Sequence, residues 1–255
     1  MKTRSILAVL LLMVAGLQAI WAQKMVVTMA DDSKVVYDIL QVKDITFEEA
    51  EEPEEQYEWV DLGLPSGTLW ATCNVGASSP DEYGDYFAWG ETTKKNNYTW
   101  GTYKYCKGSE KTLTKYCTQS SYGYNGYTDS QTELLPEDDA ATVNWGSGWQ
   151  TPSIAQCKEL YNSSYTTKTW TTQNGVKGHK VTSKSNGNSI FLPATGFRDG
   201  TTLNEPGENG DYWSRSLSTK SSYLTYDMDG SPNGSWDDGY KRCAGQVVRP
   251  VRVKK

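Results

Sequence analysis

Five cysteines stand at positions 73, 106, 117, 157 and 243, and one histidine at 179. A single histidine rules out a multi-histidine metal site within one chain. It also makes His179 the only base a Ser-His-Asp triad could use, and no G-x-S-x-G elbow supplies a nucleophile. His179 lies in the polar stretch GVKGHKVTS and reads as a loop residue. Cys106 and Cys117 each follow a tyrosine and flank KGSEKTLTKY. Two strands joined by a turn would set them opposite each other, so they are the expected disulfide. The odd number leaves at least one thiol free. Cys157, on the buried face of an expected helix, is the candidate for it. The alternative is that all five are reduced, small apolar residues. Asp227, Asp229, Asp237 and Asp238 form an acidic cluster, but Gly230 falls at the wrong place for an EF-hand loop. Such residues more often make turns through their own local hydrogen bonds. Nothing among the 31 acidic residues singles out a carboxylate pair for glycoside hydrolysis.

The positive signal is aromatic. Tyr212, Trp213, Tyr223, Tyr226, Trp236 and Tyr240 crowd one stretch, beside Arg215, Asp237 and Asp238. Flat rings with polar neighbours suit sugar faces and protein hot spots, and tyrosine is the ring that adaptable paratopes favour. Five of the ten tryptophans, however, belong to the expected core: Trp70, Trp89, Trp145, Trp149 and Trp213. Trp236 and Tyr240 lie in a turn-rich stretch and are the candidates for exposure.

The elements that must position these groups are short. Ser153 can cap a helix, with Gln156 three residues on as its capping-box partner. Ile154, Cys157, Leu160 and Tyr161 then share one face. Pro80 to Tyr83 could open a short turn. Residues 162–189 are rich in Ser, Thr, Asn, Lys and Gly and read as an exposed hairpin or loop. Residues 223–228 alternate and stop at Asp229-Gly230. Residues 236–242 and 246–253 supply the last strands, with Pro250 at an edge or strand end because it cannot donate to a ladder.

The chain has 255 residues, enough for one large domain and a small appendage. Lys2 and Arg4, the apolar run Ile6 to Ala15 and a small residue at Ala22 read as a secretory signal over residues 1–22. The alternative, a membrane anchor, needs about 20 apolar residues, and Gly16 and Gln18 break the run. No cysteine at the cleavage point indicates a lipoprotein anchor. A small β segment follows over residues 23–47, with strands around Val26, Val35 and Ile45 separated by Asp31-Asp32-Ser33. Residues 48–58 hold seven glutamates and read as a solvated acidic linker. A calcium or cationic-surface contact is the functional alternative there. Residues 1–58 carry 11 Asp/Glu against 5 Lys/Arg, whereas residues 59–255 carry 20 of each. The main domain is therefore neutral and has no electrostatic footprint for nucleic acid.

Five phrases recur in order along the main domain: WVDLGLPSGTLWATCNVGASSPDEYGDYFAWGET, DDAATVNWGSGWQTPS, FLPATGFRDG, GDYWSRS and GQVVRPVR. Together they span residues 59–252. In this order they resemble the secreted paralogous domains of Bacteroidetes and Fibrobacter. Those domains have a C-type-lectin-like fold, related to formylglycine-generating enzymes and to retroelement-diversified binding proteins. The resemblance implies an α+β, loop-rich domain over residues 59–255, with short antiparallel strands and one or two helices. It implies that the last strand pairs back near the domain's start, and that residues 198–212 and 227–243 form ligand-facing loops. It brings Cys73 and Cys243 near the domain's closure, where a second bridge is open. The family's W-R-L/M-P-T phrase reads Trp149-Gln150-Thr151-Pro152-Ser153 here, so a polar contact at the second and third positions is not carried over. The E-P-N calcium phrase of related lectins reads Glu205-Pro206-Gly207, followed by Glu208, Asn209 and Asp211, and no W-N-D occurs. Tyr240-Lys241-Arg242-Cys243 resembles one half of the enzymes' copper-holding motif, but its partner cysteine is missing.

These readings lead to an exported, non-catalytic, adhesin-like binding module for a glycan or glycoprotein, secreted or in the cell envelope, with no membrane span in the mature chain. The candidate ligand residues are Tyr212, Arg215, Trp236, Asp237, Asp238 and Tyr240. No cofactor is expected, and calcium is the one metal left open. The alternatives are a structural component of an envelope assembly and an enzyme of the formylglycine-generating type.

Overall fold

The computed structural model describes residues 24–28, 33–38, 57–229 and 236–253. The expected signal, the third strand near Ile45 and most of the acidic linker lie outside them. The chain divides into two units, Met1–Glu54 and Glu55–Lys255. In the first, β1 (Lys24–Thr28) pairs antiparallel with β2 (Lys34–Asp38), Val26 facing Val36 and Met25 facing Tyr37. Two β-branched runs pair to make this sheet, and both of its faces carry exposed apolar side chains.

The second unit opens with β3 (Trp59–Asp61) and β4 (Thr68–Ala71). The chain's last strand, β13 (Val251–Val253), returns to pair with β4, giving the order β13-β4-β3. Pro250 sits just before β13 and accepts a hydrogen bond from the Ala71 amide. Two short helices follow a long irregular stretch: α1 (Ala140–Trp145) and α2 (Ile154–Leu160). The Ser153–Gln156 capping box starts α2 as the sequence predicts, and Cys157 and Leu160 are its buried residues.

Three further sheets complete the unit. β5 (Thr166–Gln173), β6 (Val176–Ser183) and β7 (Ser189–Pro193) form one meander. β8 (Phe197–Asp199) and β9 (Thr202–Asn204) form a small hairpin. β10 (Asp211–Leu217), β11 (Leu224–Asp229) and β12 (Trp236–Lys241) form the third. The expected hairpin over 162–189 is present, but it is only half exposed. β6 buries Gly178, His179, Val181 and Ser183. His179 is a strand residue and not a loop residue. Its ring meets Trp170 edge-on at 5.0 Å, and the facing strands cover it.

Residues 72–139 contain no α-helix and no named strand, only isolated bridges and three short 3-10 turns. Such backbone leaves carbonyls without ladder partners, and buried ones must be satisfied. Aromatic side chains with polar tips do this. Tyr86 donates to the Thr195 carbonyl, Tyr98 to Tyr86, Tyr103 to Trp89, and Tyr212 to Pro193, at 2.5–2.7 Å. The Trp89 and Trp213 indoles donate to the Ser214 and Phe87 carbonyls. The aromatic composition thus fills the core and closes its hydrogen bonds together. Two fully buried arginines extend the device. Arg242 donates to the carbonyls of Lys115, Tyr116 and Ser222. Arg249 donates to those of Ala71, Thr72 and Phe191 and to the Asn74 amide oxygen. Gly196 marks one close crossing: its φ is +60°, and a Cβ there would lie 2.0 Å from the Asn204 carbonyl oxygen.

All five cysteines are free. The expected Cys106–Cys117 bridge is absent because the register opposite Cys106 is taken by Leu113. The Cys106 thiol instead donates to the Trp100 carbonyl and the Cys117 thiol to that of Gln119. Cys73 and Cys243 are likewise unbridged, and Cys157 is a buried free thiol whose ionisation burial pushes up. Among the described residues no helix is long and apolar enough to cross a membrane.

Candidate ligand-binding groove

A groove of about 460 Å³ opens between the start of α2, the end of β10 and the side of β11. Ile154, Leu217, Ser216, Glu133 and Tyr226 line it, with Thr118, Thr132, Ser218 and Thr219 at its margins. It exists because the β10–β11 pairing shifts register between Trp213 and Leu217. A bulge frees backbone groups and re-aims side chains. The freed groups of β10 bond elsewhere. The Arg215 amide donates to the Pro152 carbonyl, and the Leu134 and Leu217 amides donate to the carbonyls of Arg215 and Thr132. Glu133 is thereby set opposite Ser216.

The polar groups of the groove are held in place. The Ser216 hydroxyl donates to Glu133 Oε1 and accepts the Ile154 amide. Glu133 Oε2 lies 2.9 Å from Arg215 Nε, and Arg215 also donates to the Gln150 side-chain oxygen. Tyr226 shares a 2.8 Å hydrogen bond with the Thr219 hydroxyl, and the Lys158 ammonium lies 5.8 Å from its ring centroid. The arrangement offers an apolar floor, one ring, one oriented carboxylate and a margin of hydroxyls. That mixture can stack on a flat apolar face and hydrogen-bond a rim of hydroxyl groups, the pattern expected of small-ligand sites.

The residues expected to bind lie on β10 and β12, the two outer strands of one sheet, where Tyr212 and Trp236 both stand in register with Met228. Tyr212 is fully buried at the centre of the domain, with its hydroxyl on the Pro193 carbonyl and its ionisation pushed up by burial. It belongs to the core and faces no ligand. Arg215 reaches the groove indirectly, through the pair that orients Glu133. Trp236, Asp237 and Asp238 lie on β12, Trp236 opposite Met228 and Asp237 opposite Asp227 in register; their side chains lie outside the described ones. Tyr240, also on β12, is half-buried against Phe197 at 5.0 Å, and burial raises its phenol. Lys241 pairs with Asp199 beside it.

The acidic phrase from Glu205 makes a turn. Glu205 has a φ of +55°, and the Asn209 side chain donates to Asp211. Among the described residues, no three His, Cys, Asp or Glu side chains gather as a metal site. Tyr226 stands out in the sequence only as one ring among several. Glu133 gives no signal at all, since its partner Ser216 lies 83 residues further on. No family model, curated protein or solved structure matches this chain.

Proposed function

We propose that the chain is an exported, non-catalytic binding module that recognises a glycan or a glycoprotein, and that its main unit takes the C-type-lectin-like arrangement. The fold reading is supported by the return of β13 to β4 and by the small share of helix. The functional reading rests on one observation: the groove sets the Tyr226 ring and the Glu133 carboxylate over an Ile154–Leu217 floor, within a margin of hydroxyls. Cys243 is buried, burial pushes its thiol up to about 12, and we assign it to the core with no sulfur chemistry.

Binding of residues 23–255 to an array of glycans and extracellular glycoproteins tests the proposal, with and without a calcium chelator. A selective hit is expected, lost in both Tyr226→Ala and Glu133→Gln while the melting temperature holds. A hit that survives both substitutions sinks the groove assignment. Sensitivity to the chelator would add calcium to the site.

The exposed apolar hairpin, with Val26, Val35, Val36 and Tyr37 at the surface, favours a second reading as a building block of an envelope assembly. Deleting residues 23–47 should then release the protein from cells while the main unit stays folded. Retention of the truncated chain on the cell would remove that reading.

A further inference from the structure

The Tyr57 ring lies flat on the Trp145 indole, with ring centroids 3.8 Å apart and planes 3° from parallel. Trp149 stands edge-on to both, 5.2 Å from Trp145 and 6.5 Å from Tyr57. The Arg252 guanidinium lies 5.5 Å from the Trp149 ring centroid. Together these side chains make a slot with an indole face as floor, an indole edge as end wall and a cation beside the wall.

Floor and wall are fixed without Tyr57. Trp145 ends α1, whose first turn is capped by the Asp139 carboxylate. The same carboxylate accepts the Thr151 amide and hydroxyl, which ties the segment that follows Trp149 to the helix. The Thr142 hydroxyl donates to the Trp149 carbonyl. Tyr57, by contrast, belongs to no helix or strand. The chain is anchored one residue later, where the Glu58 carbonyl accepts the Thr72 amide. Around Tyr57 the sequence reads Glu54-Glu55-Gln56-Tyr57-Glu58.

We propose that this slot is a peptide-binding site for an extended segment presenting an aromatic ring beside carboxylates, and that Tyr57 occupies it in cis. The parallel contact is a stacked aromatic pair, with the Tyr57 ring laid on the indole face. Arg252 supplies charge complementary to the acidic neighbours that such a segment carries. A ring tethered this close has an effective concentration in the millimolar range or above, so a free ligand must outcompete it. The slot shares no residue with the groove, and the proposal does not rest on the glycan reading.

The test follows the Trp145 indole N–H by NMR in the chain 23–255, titrated with the capped peptide Glu-Glu-Gln-Tyr-Glu. Tyr57→Ala should show a saturable shift of that signal. Wild type and Tyr57→Phe should need about tenfold more peptide or higher. The double variant Tyr57→Ala/Trp145→Ala should show no binding by saturation transfer, and the peptide with alanine in place of tyrosine should bind neither chain. Equal titration of wild type and Tyr57→Ala would overturn the proposal. So would a silent Trp145 signal in Tyr57→Ala, or a shift produced by methyl glucoside and not by the peptide. A Tyr57→Ala chain that loses its fold would assign the ring to the fold and overturn it as well.

Discussion

Arg242→Met is the sharpest probe of how the main unit is held together. The guanidinium is fully buried and meets three backbone carbonyls, those of Lys115, Tyr116 and Ser222, at 2.8–2.9 Å. It also lies over Trp89 and Tyr103, at 5.1 and 5.3 Å from their ring centroids. Methionine keeps most of the stem and removes every donor. Two buried carbonyls, those of Tyr116 and Ser222, then lose their partners at about 1–3 kcal/mol each, and the partly buried Lys115 carbonyl adds less, for roughly 3–7 kcal/mol gross. Recovering the desolvation cost of one buried charge offsets several kcal/mol of that. The Tyr103 hydroxyl is unaffected as a donor, because it keeps the Trp89 carbonyl. A net loss of about 3 kcal/mol is a large share of the roughly 5–15 kcal/mol that holds a domain. The assay is urea unfolding followed by tryptophan fluorescence. At a slope of about 3 kcal/mol per molar, the midpoint should fall by about 1 M. Arg242→Lys should fall between the two, since one ammonium cannot span the fork. A methionine variant with an unchanged midpoint would refute the claim that these carbonyls depend on the guanidinium. A lysine variant equal to wild type would refute the argument from fork geometry.

Acid should expose a second internal charge. Burial pushes the Asp138 carboxyl up, but hydrogen bonds from Lys115, Tyr105 and Tyr116 outweigh it and hold the group below its usual range. A depressed folded value means stability that is present above the ordinary carboxylate pKa and is lost as pH falls through the folded one. Asp138→Asn should therefore be less stable near neutrality and lose less between pH 5 and pH 2, by thermal melts across that range; parallel curves would contradict it. Thiol titration with a chromogenic disulfide should find one fast thiol, the half-buried Cys73, and five after denaturation without reductant; fewer than five would reveal a bridge. Asp139→Ala removes a cap and an acceptor for buried Thr151. It should lower stability by about 2 kcal/mol in the same urea assay, and a neutral result would deny Asp139 its role in joining α1 to the segment that follows Trp149.

What the sequence makes legible follows the range of the interaction. The capping box of α2 spans four residues, and the structure places it where the pattern does. The alternation read at 223–228, where β11 runs from Leu224 to Asp229, and the strand-end position of Pro250 are local too. His179 is misread because its burial depends on Trp170 across one strand and on β7 across the other. The Cys106–Cys117 spacing fits a hairpin, yet the register is set by the bridge to Leu113. The groove is least visible. It needs a bulge in β10, a carboxylate from residue 133 and a ring from residue 226, and no window of sequence holds all three. Gln150 likewise finds its side-chain partner in Arg215, 65 residues further on.

The pairing of β13 with β4 carries a consequence in time. Residues 251–253 complete a ladder begun at residues 68–71, and Arg249 locks onto Asn74 across 175 positions. Loop closure over such distances comes late and slows folding. A chain that emerges from its N-terminus cannot finish this sheet until residues 251–253 have followed, so the ladder that begins at β4 waits for nearly the whole main unit.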